Sequence, residues 1–400
     1  MLFKDMYLIY KMKTFTINTS TAETLYEILI ANKIPYTITT NKKKDYSKET
    51  TRWNLPPFED LDITTKNVIF KVDVTFYDTV LNLINPEKSS KNIWMHFNKV
   101  LPPKLDYTFS IEHQPKYPIY IISLNRYQKE RCFTIKHLEK MNVKYRLCIM
   151  TRELENYRQS LINNNFINCV EIITIDDNMG FGGTPQRMKC WQHSKELGFN
   201  KFWLLDDNID GYFYYNRLKK VKVDSGIVFT SLENFIDNIK EPVGIAGHNY
   251  NMDNPATTMR NPFQVNSKVY SSMLINTELL DKFNIKFTLK YNEDVDLCME
   301  CLKNGLKTIA INIFVSNKKA TLSVKGGNTD TIYDNGNKFQ DKVDCLLNKW
   351  GDEFVEVINK HKDKRPHHKV YYDRFKVDKK ITPIKIGTAS KYETFGIHLV

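Results

Sequence analysis

From Pro118 onward the chain alternates short apolar runs with stretches whose apolar residues recur at helical spacing. Ile119-Tyr120-Ile121-Ile122, Tyr145 to Met150, Cys169 to Ile175 and Phe202-Trp203-Leu204-Leu205 have strand length. Between them, Arg131 to Met141, Glu153 to Asn164 and Pro185 to Leu197 carry the helical pattern. This succession predicts an α/β fold, a mostly parallel Rossmann-like sheet flanked by helices and built from right-handed crossovers. Loops at the carboxyl ends of the strands then converge on one edge, where open α/β sheets bind ligands.

Ahead of Pro115-Lys116-Tyr117-Pro118 the pattern is smaller and interrupted. Strands are expected at Lys13 to Ile17, Tyr36 to Thr40 and Asn67 to Val72. Helices are expected at Thr21 to Ala31, capped by Ser20, and at Thr75 to Ile84. The chain therefore divides into a small α/β accessory domain (1–114) with no chemistry-bearing motif, a main domain (115–335) and a helical, basic extension (336–400).

At 400 residues, with 42% apolar content, 22 Tyr and 23 Phe, the chain has the means to bury a sizeable core, which excludes a disordered protein. No stretch is apolar enough to cross a bilayer and the first residues lack a signal-peptide layout, so a cytoplasmic protein with no membrane partner is expected. Seven cysteines without framework spacing argue against a disulfide-stapled secreted protein. Cys298 and Cys301, one helical turn apart with no second pair, read as core rather than zinc ligands. The net charge of +12 suits a polyanionic partner. From residue 361 on, ten Lys and Arg face four Asp and Glu, and the tail from Lys362 to Arg374 mixes cations with Tyr371 and Tyr372.

The chemistry concentrates in four places. The apolar run at 202–205 stops on Asp206-Asp207-Asn208. Adjacent carboxylates at a strand end repel one another unless a cation or a ribose hydroxyl accounts for them, so a divalent-metal site is the natural reading and a turn with a helix cap the plain one. Asn125 and Arg126 end the first strand, where a guanidinium can meet base or phosphate. Asn178 to Arg187, with Gly180, Gly182 and Gly183, is a glycine-rich loop opening a helix, which permits close approach to a diphosphate, with Arg187 one turn in. Tyr291-Asn292-Glu293-Asp294-Val295-Asp296 opens a further helix with three acids in four residues, more than a helix dipole needs, and offers a general base for a hydroxyl nucleophile.

The order Ser123-Leu124-Asn125-Arg126, the 178–187 loop, Leu204-Leu205-Asp206-Asp207-Asn208 and Asn292-Glu293-Asp294 resembles metal-dependent glycosyltransferases of the GT-A fold. More narrowly it resembles the TET/JBP-associated glycosyltransferases, over residues 117 to 330. The resemblance implies an inverting hexosyl- or pentosyltransferase using a nucleotide-sugar, a UDP-sugar first, with Mn²⁺ or Mg²⁺. It places Ser123, Asn125, Arg126, Asn178, Gly180, Arg187, Asp206, Gly326 and Gly327 around the donor, Asp207 with Asp206 on the metal, and Asp294, then Glu293, as base. Many enzymes of that fold add a late His ligand, whereas this chain has no His between His248 and His361. Metal coordination then relies on one carboxylate, the diphosphate and water, or on Asn317. The implied acceptor is a hydroxymethylated pyrimidine in phage or viral DNA, with Tyr212, Arg217, Lys219, Lys220, His248 and Arg260 expected beside it. A protein or glycan acceptor remains open, as do a metal-dependent nuclease and a non-catalytic nucleic-acid-binding module.

Overall fold

The protein is described here by a computed structural model covering residues 12–18, 36–40, 67–73, 113–179, 183–216, 219–253, 263–319, 323–327, 338–360 and 365–381. Strands β1 (Met12–Asn18), β2 (Tyr36–Thr40) and β3 (Asn67–Asp73) form an antiparallel sheet in the order β1-β3-β2. The helices expected at 21–31 and 75–84 lie outside the described residues.

The main sheet starts with the expected alternation. It runs β4 (Ile119–Ile122), α1 (Phe133–Lys140), β5 (Tyr145–Met150), α2 (Leu154–Asn163), β6 (Cys169–Ile175), α3 (Thr184–Glu196) and β7 (Lys201–Asp206). There follow β8 (Ile209–Asn216), β9 (Lys219–Val223), α4 (Ile227–Asp237), β10 (Val243–Tyr250), β11 (Phe263–Val265), β12 (Ser272–Asn276), α5 (Thr277–Lys282), α6 (Glu293–Lys303) and β13 (Lys307–Lys318). The strand order is β6-β5-β4-β7-β12-β10-β13-β8-β9, with β11 also paired to β13. Strands β12, β8 and β11 run against the rest, so the sheet is mixed but mostly parallel.

Period-two alternation assigns side chains to two core layers. Ile119 and Ile121 of β4 and Trp203 and Leu205 of β7 pack with Ile135, Leu138, Tyr157 and Phe229 from α1, α2 and α4. Tyr120, Ile122, Phe202 and Leu204 face Cys190, Trp191, Leu280 and Leu297 from α3, α5 and α6. Fully burying a side chain such as Phe202 or Phe229 stabilises the fold by roughly 1.5–3 kcal/mol. Cys298 and Cys301 are free, buried thiols of this second layer.

The chain leaves β4 toward β5 on one side and returns at β7 on the other, which opens a crevice at the carboxyl ends of these two strands. Their register sets Ile122 opposite Asp206, so the Ser123–Arg126 turn and the Asp206-Asp207 step lie side by side. Beyond the sheet, α7 (Lys338–Phe354) leads into a hairpin of β14 (Val355–Lys360) and β15 (Arg365–Val370). No helix among the described residues is long and apolar enough to cross a membrane.

Candidate functional site

Three cations and four carboxylates meet in the crevice. Asp206, the last residue of β7, accepts from Arg187 Nη2 at 3.1 Å on Oδ1, and from Ser271 Oγ at 2.6 Å and Lys318 Nζ at 2.9 Å on Oδ2. Arg187 turns its Nε to Glu293 Oε1 at 2.9 Å, joining α3, β7 and α6 through one guanidinium. Its Nη1 is buried and has no hydrogen-bond partner among the described residues. Gly183 makes room for this bridge, because a Cβ there would stand 3.2 Å from Glu293 Oε1 and 3.3 Å from Arg187 Nε.

Asp207 is held separately. Arg126 Nη1 donates to its Oδ1, and Ser123 Oγ donates to its Oδ2 at 2.9 Å. Since Ser123 spends its proton on Asp207, the Tyr157 hydroxyl 2.6 Å away must donate to Ser123, and it accepts in turn from the Arg126 backbone N–H. Arg126 also donates from Nη2 to Gly326 O at 3.1 Å and from Nε to Lys325 O. Gly326 has a left-handed φ of 85°, and a Cβ on it would come within 2.5 Å of Asn125 O, so this approach requires glycine.

Burial pushes the carboxyls of Asp206, Asp207 and Asp294 up, and their partners decide the outcome. At Asp206 the Lys318 ammonium, the Arg187 guanidinium and the Ser271 hydroxyl outweigh burial and hold the carboxyl well below the usual range. At Asp207 burial prevails over Arg126 and Ser123, and the carboxyl is raised. Asp294 has no ion-pair partner among the described residues, and one of its oxygens accepts from the Val295 N–H at 2.8 Å. Burial, then the neighbouring Glu293, raise it to about 6. Its side chain is nevertheless partly exposed. A carboxyl held near neutrality, unpaired and accessible is suited to receive a proton.

The acidic run on α6 therefore divides its labour: Glu293 braces Arg187, Asp294 faces the crevice, and Asp296 is fully buried against Trp350 and Lys349 of α7. Asn292 before it adopts a left-handed φ of 54°, which Asn tolerates, and gives α6 its abrupt start.

Several expected residues lie elsewhere. His248 is a core residue: it stacks on Trp203 at 5.3 Å, and its ring nitrogens meet Ser272 Oγ and Val228 O, so it does not border an acceptor cleft. Burial lowers it to about 4, leaving it neutral. Tyr212 is likewise buried, on the inward face of β8, with its hydroxyl against Ser272. Strand alternation is the reason for both, since β8 and β10 are interior to the sheet. Lys220 donates to Asn251 O on the flank of β9. Asn178 is exposed, its N–H on Asp176 Oδ1. Asn317 points its Oδ1 to Asn251, on the side of β13 opposite Lys318. Gly180, Arg217 and Arg260, and the side chain of Lys219, lie outside the described residues.

Two residues with strong contacts were not singled out by their sequence context. Gln186 clamps the ends of β4 and β5 by donating to Ser123 O and Cys148 O at 2.9 and 3.0 Å. Lys318 was one lysine among many. The available signal was its place at the carboxyl end of an apolar strand, where a buried ammonium needs an acid opposite.

A resident divalent ion does not fit these residues. All four oxygens of Asp206 and Asp207 accept from fixed donors, three of them cationic side chains. No group of three or more His, Cys, Asp or Glu among the described residues forms a metal cage.

Residues 117–327, the segment that carries this whole crevice, match the model of the TET-associated glycosyltransferase family. The chain belongs to that family. No match was found among curated proteins. Among solved structures, residues 1–349 of TarS from S. aureus share 14% identity with a TM-score of 0.34, over 58% of this chain and 66% of that one. The mannosyltransferase PcManGT from Pyrobaculum calidifontis, solved with GDP-Man and Mn²⁺, shares 11% identity with a TM-score of 0.37, over 60% of this chain and 65% of that one. The matched region thus spans slightly under two thirds of either neighbour. In this TET-associated glycosyltransferase the family segment ends at Gly327, so α7 and the hairpin β14–β15 lie beyond it.

Proposed function

We propose that this protein transfers a sugar from a nucleotide-sugar to a hydroxyl acceptor, with Asp294 as general base. The carrying observation is the unpaired Asp294 carboxyl, raised to about 6, beside the Asp206–Arg187–Glu293 bridge. In this reading Asp294 takes the proton of the acceptor hydroxyl as its oxygen attacks the anomeric carbon. The bond from that carbon to the diphosphate breaks, and the configuration inverts. Arg187, with an unspent Nη1, and Lys318 face the negative charge that builds on the leaving diphosphate. Asn125, Arg126, Gly326 and Gly327 form the wall on the Asp207 side, and a uridine donor is the first to test. No step is routed through a divalent ion, because the two aspartates are already matched by cations.

The acceptor we favour is a hydroxymethylated pyrimidine in DNA. The family's association with TET enzymes, the net charge of +12 and the basic β14–β15 hairpin support it. Arg217, Lys219, Lys220 and Arg260 remain candidates for phosphate contacts, whereas the core residues Tyr212 and His248 do not. The test is mass spectrometry of hydroxymethylated and plain DNA incubated with the protein and a panel of nucleotide-sugars. A mass increment of one sugar on the modified base is expected. Donor turnover without any labelled DNA would point to a protein or glycan acceptor, and no donor turnover would remove the transferase reading.

A further inference from the structure

The C-terminal helix α7 lies outside the family segment, yet it is fastened to the helix that carries Glu293 and Asp294. Asp296, two residues after Asp294, is buried and accepts from Trp350 Nε1 at 2.8 Å, while Lys349 Nζ lies 2.7 Å from its Oδ1. Lys349 also reaches Glu300 Oε1 at 2.8 Å and Thr288 Oγ1 at 3.0 Å, so one ammonium joins two turns of α6 to the loop before it. At the very start of α6, Asn292 Nδ2 donates to Lys342 O at 2.7 Å, which fixes the left-handed residue from which the helix departs. Apolar contacts complete the joint: Val295 and Met299 of α6 pack with Leu346 and Trp350 of α7, and Tyr270 packs against the same cluster. Tyr270 in turn lies against Tyr250, whose hydroxyl bonds Ser271, the residue that donates to Asp206.

We infer that α7 is a working part of the catalytic site, with Trp350 and Lys349 as positioning residues that set the start of α6, and so Asp294, against the Asp206–Arg187 bridge. This rests on the reading of Asp294 as base. A buried, doubly held Asp296 has no role toward the crevice; its bonds all run to the loop before α6 and to α7. Removing them frees the first turn of α6 to shift or rotate, and a displacement of about 1 Å at a reacting group can cost on the order of a hundredfold in rate. The Arg126 and Gly326 contacts on the Asp207 side do not pass through α6 or α7, and Arg187 meets this joint only through Glu293, so donor binding is affected far less than the placement of Asp294.

The experiment uses the full chain with Lys349→Met, Lys349→Arg and Trp350→Phe. It measures kcat, the donor KM, UDP affinity by calorimetry and the melting temperature. Lys349→Met and Trp350→Phe are expected to lower kcat roughly tenfold or more while UDP affinity falls by no more than about twofold, and Lys349→Arg to recover most of the loss. Lys349 is partly exposed, so its Met variant is expected to fold even if Trp350→Phe does not. Wild-type kcat in Lys349→Met, whatever its melting temperature, would overturn the inference. Failure of the underlying reading is separate: full turnover in Asp294→Asn removes the base assignment, whereas an inactive Asp294→Asn beside a fully active Lys349→Met removes only the coupling.

Discussion

Lys318 Nζ lies 2.9 Å from Asp206 Oδ2, so the last residue of β13 neutralises the last residue of β7 across a crevice whose other wall is Arg187. Burial disfavours both charges, and together with the Arg187 guanidinium and the Ser271 hydroxyl each outweighs the other's penalty: Lys318 is held well above, and Asp206 well below, its ordinary range.

Lys318→Met therefore leaves Asp206 with half its charge compensation. Deleting one partner of a buried pair costs about 3–5 kcal/mol; because the side chains of Lys318 and Asp206 are 20% and 17% exposed, the lower end is expected. Asp206→Asn in the same chain should recover part of the loss. Asp206 has a folded pKa below its unfolded value, so its contribution is present above pH ~4 and is lost as the pH falls further. Urea unfolding of wild type and both variants across that window measures this, and equal stabilities would show that the pair is inert.

Asp294→Asn should leave UDP affinity near wild type and lower kcat by on the order of a hundredfold or more. In the wild type a base must be ionised, so kcat should rise with pH through about 6 and level off above it. A flat profile from pH 5 to 7 alongside a fully active Asn variant would place the base elsewhere.

His248→Ala should act on the fold and spare the acceptor. Emptying a site stacked on Trp203 and edge-on to Phe229 and Tyr212 should cost about 3–5 kcal/mol, by analogy with other buried rings, with the acceptor KM unchanged. Its folded pKa, about 4, lies below the unfolded value near 6.5. Neutral His248 thus costs nothing above pH ~6.5, and stability declines as the pH drops from there toward 4. Denaturation curves at pH 7 and 5 on both proteins would reveal it, since the variant should lose less on acidification.

Chelation provides a fourth check. With every oxygen of Asp206 and Asp207 already accepting from a protein donor, EDTA should leave the melting temperature unchanged, and Mn²⁺ without nucleotide should not raise it. A rise of several degrees with Mn²⁺ alone would mean that the cations yield the aspartates to a metal.

The sheet was legible because its strands are separated by helices of clear period. Tyr145 to Met150 and Cys169 to Ile175 coincide with β5 and β6. The acids at 206–207 and 293–294 stood out because a charge at the end of an apolar run needs a reason. Sequence spacing does not tell which acid meets which cation. That Arg187 joins Glu293 to Asp206 while Asp296 turns away to Trp350 depends on how α6 is rotated, and α7 sets that rotation. His248 and Tyr212 misled for a related reason: in strands covered on both faces, a polar ring can be satisfied inside the core, and nothing in its immediate neighbours distinguishes it from one at a cleft.

The Arg126 latch bears on how the protein is made. Its guanidinium closes on Lys325 O and Gly326 O, and the Gly327 N–H closes on Leu124 O, so the crevice joins chain segments about 200 residues apart. Loop closure over such a span is slow, and β4 to β7 leave the ribosome well before the residues that complete the crevice. Until Gly327 has been synthesised Arg126 has only Asp207 to hold it, and the pocket lacks a wall. The wall beside Asp207 is thus complete only once Gly327 has emerged, and α7, which seats the start of α6, follows later still.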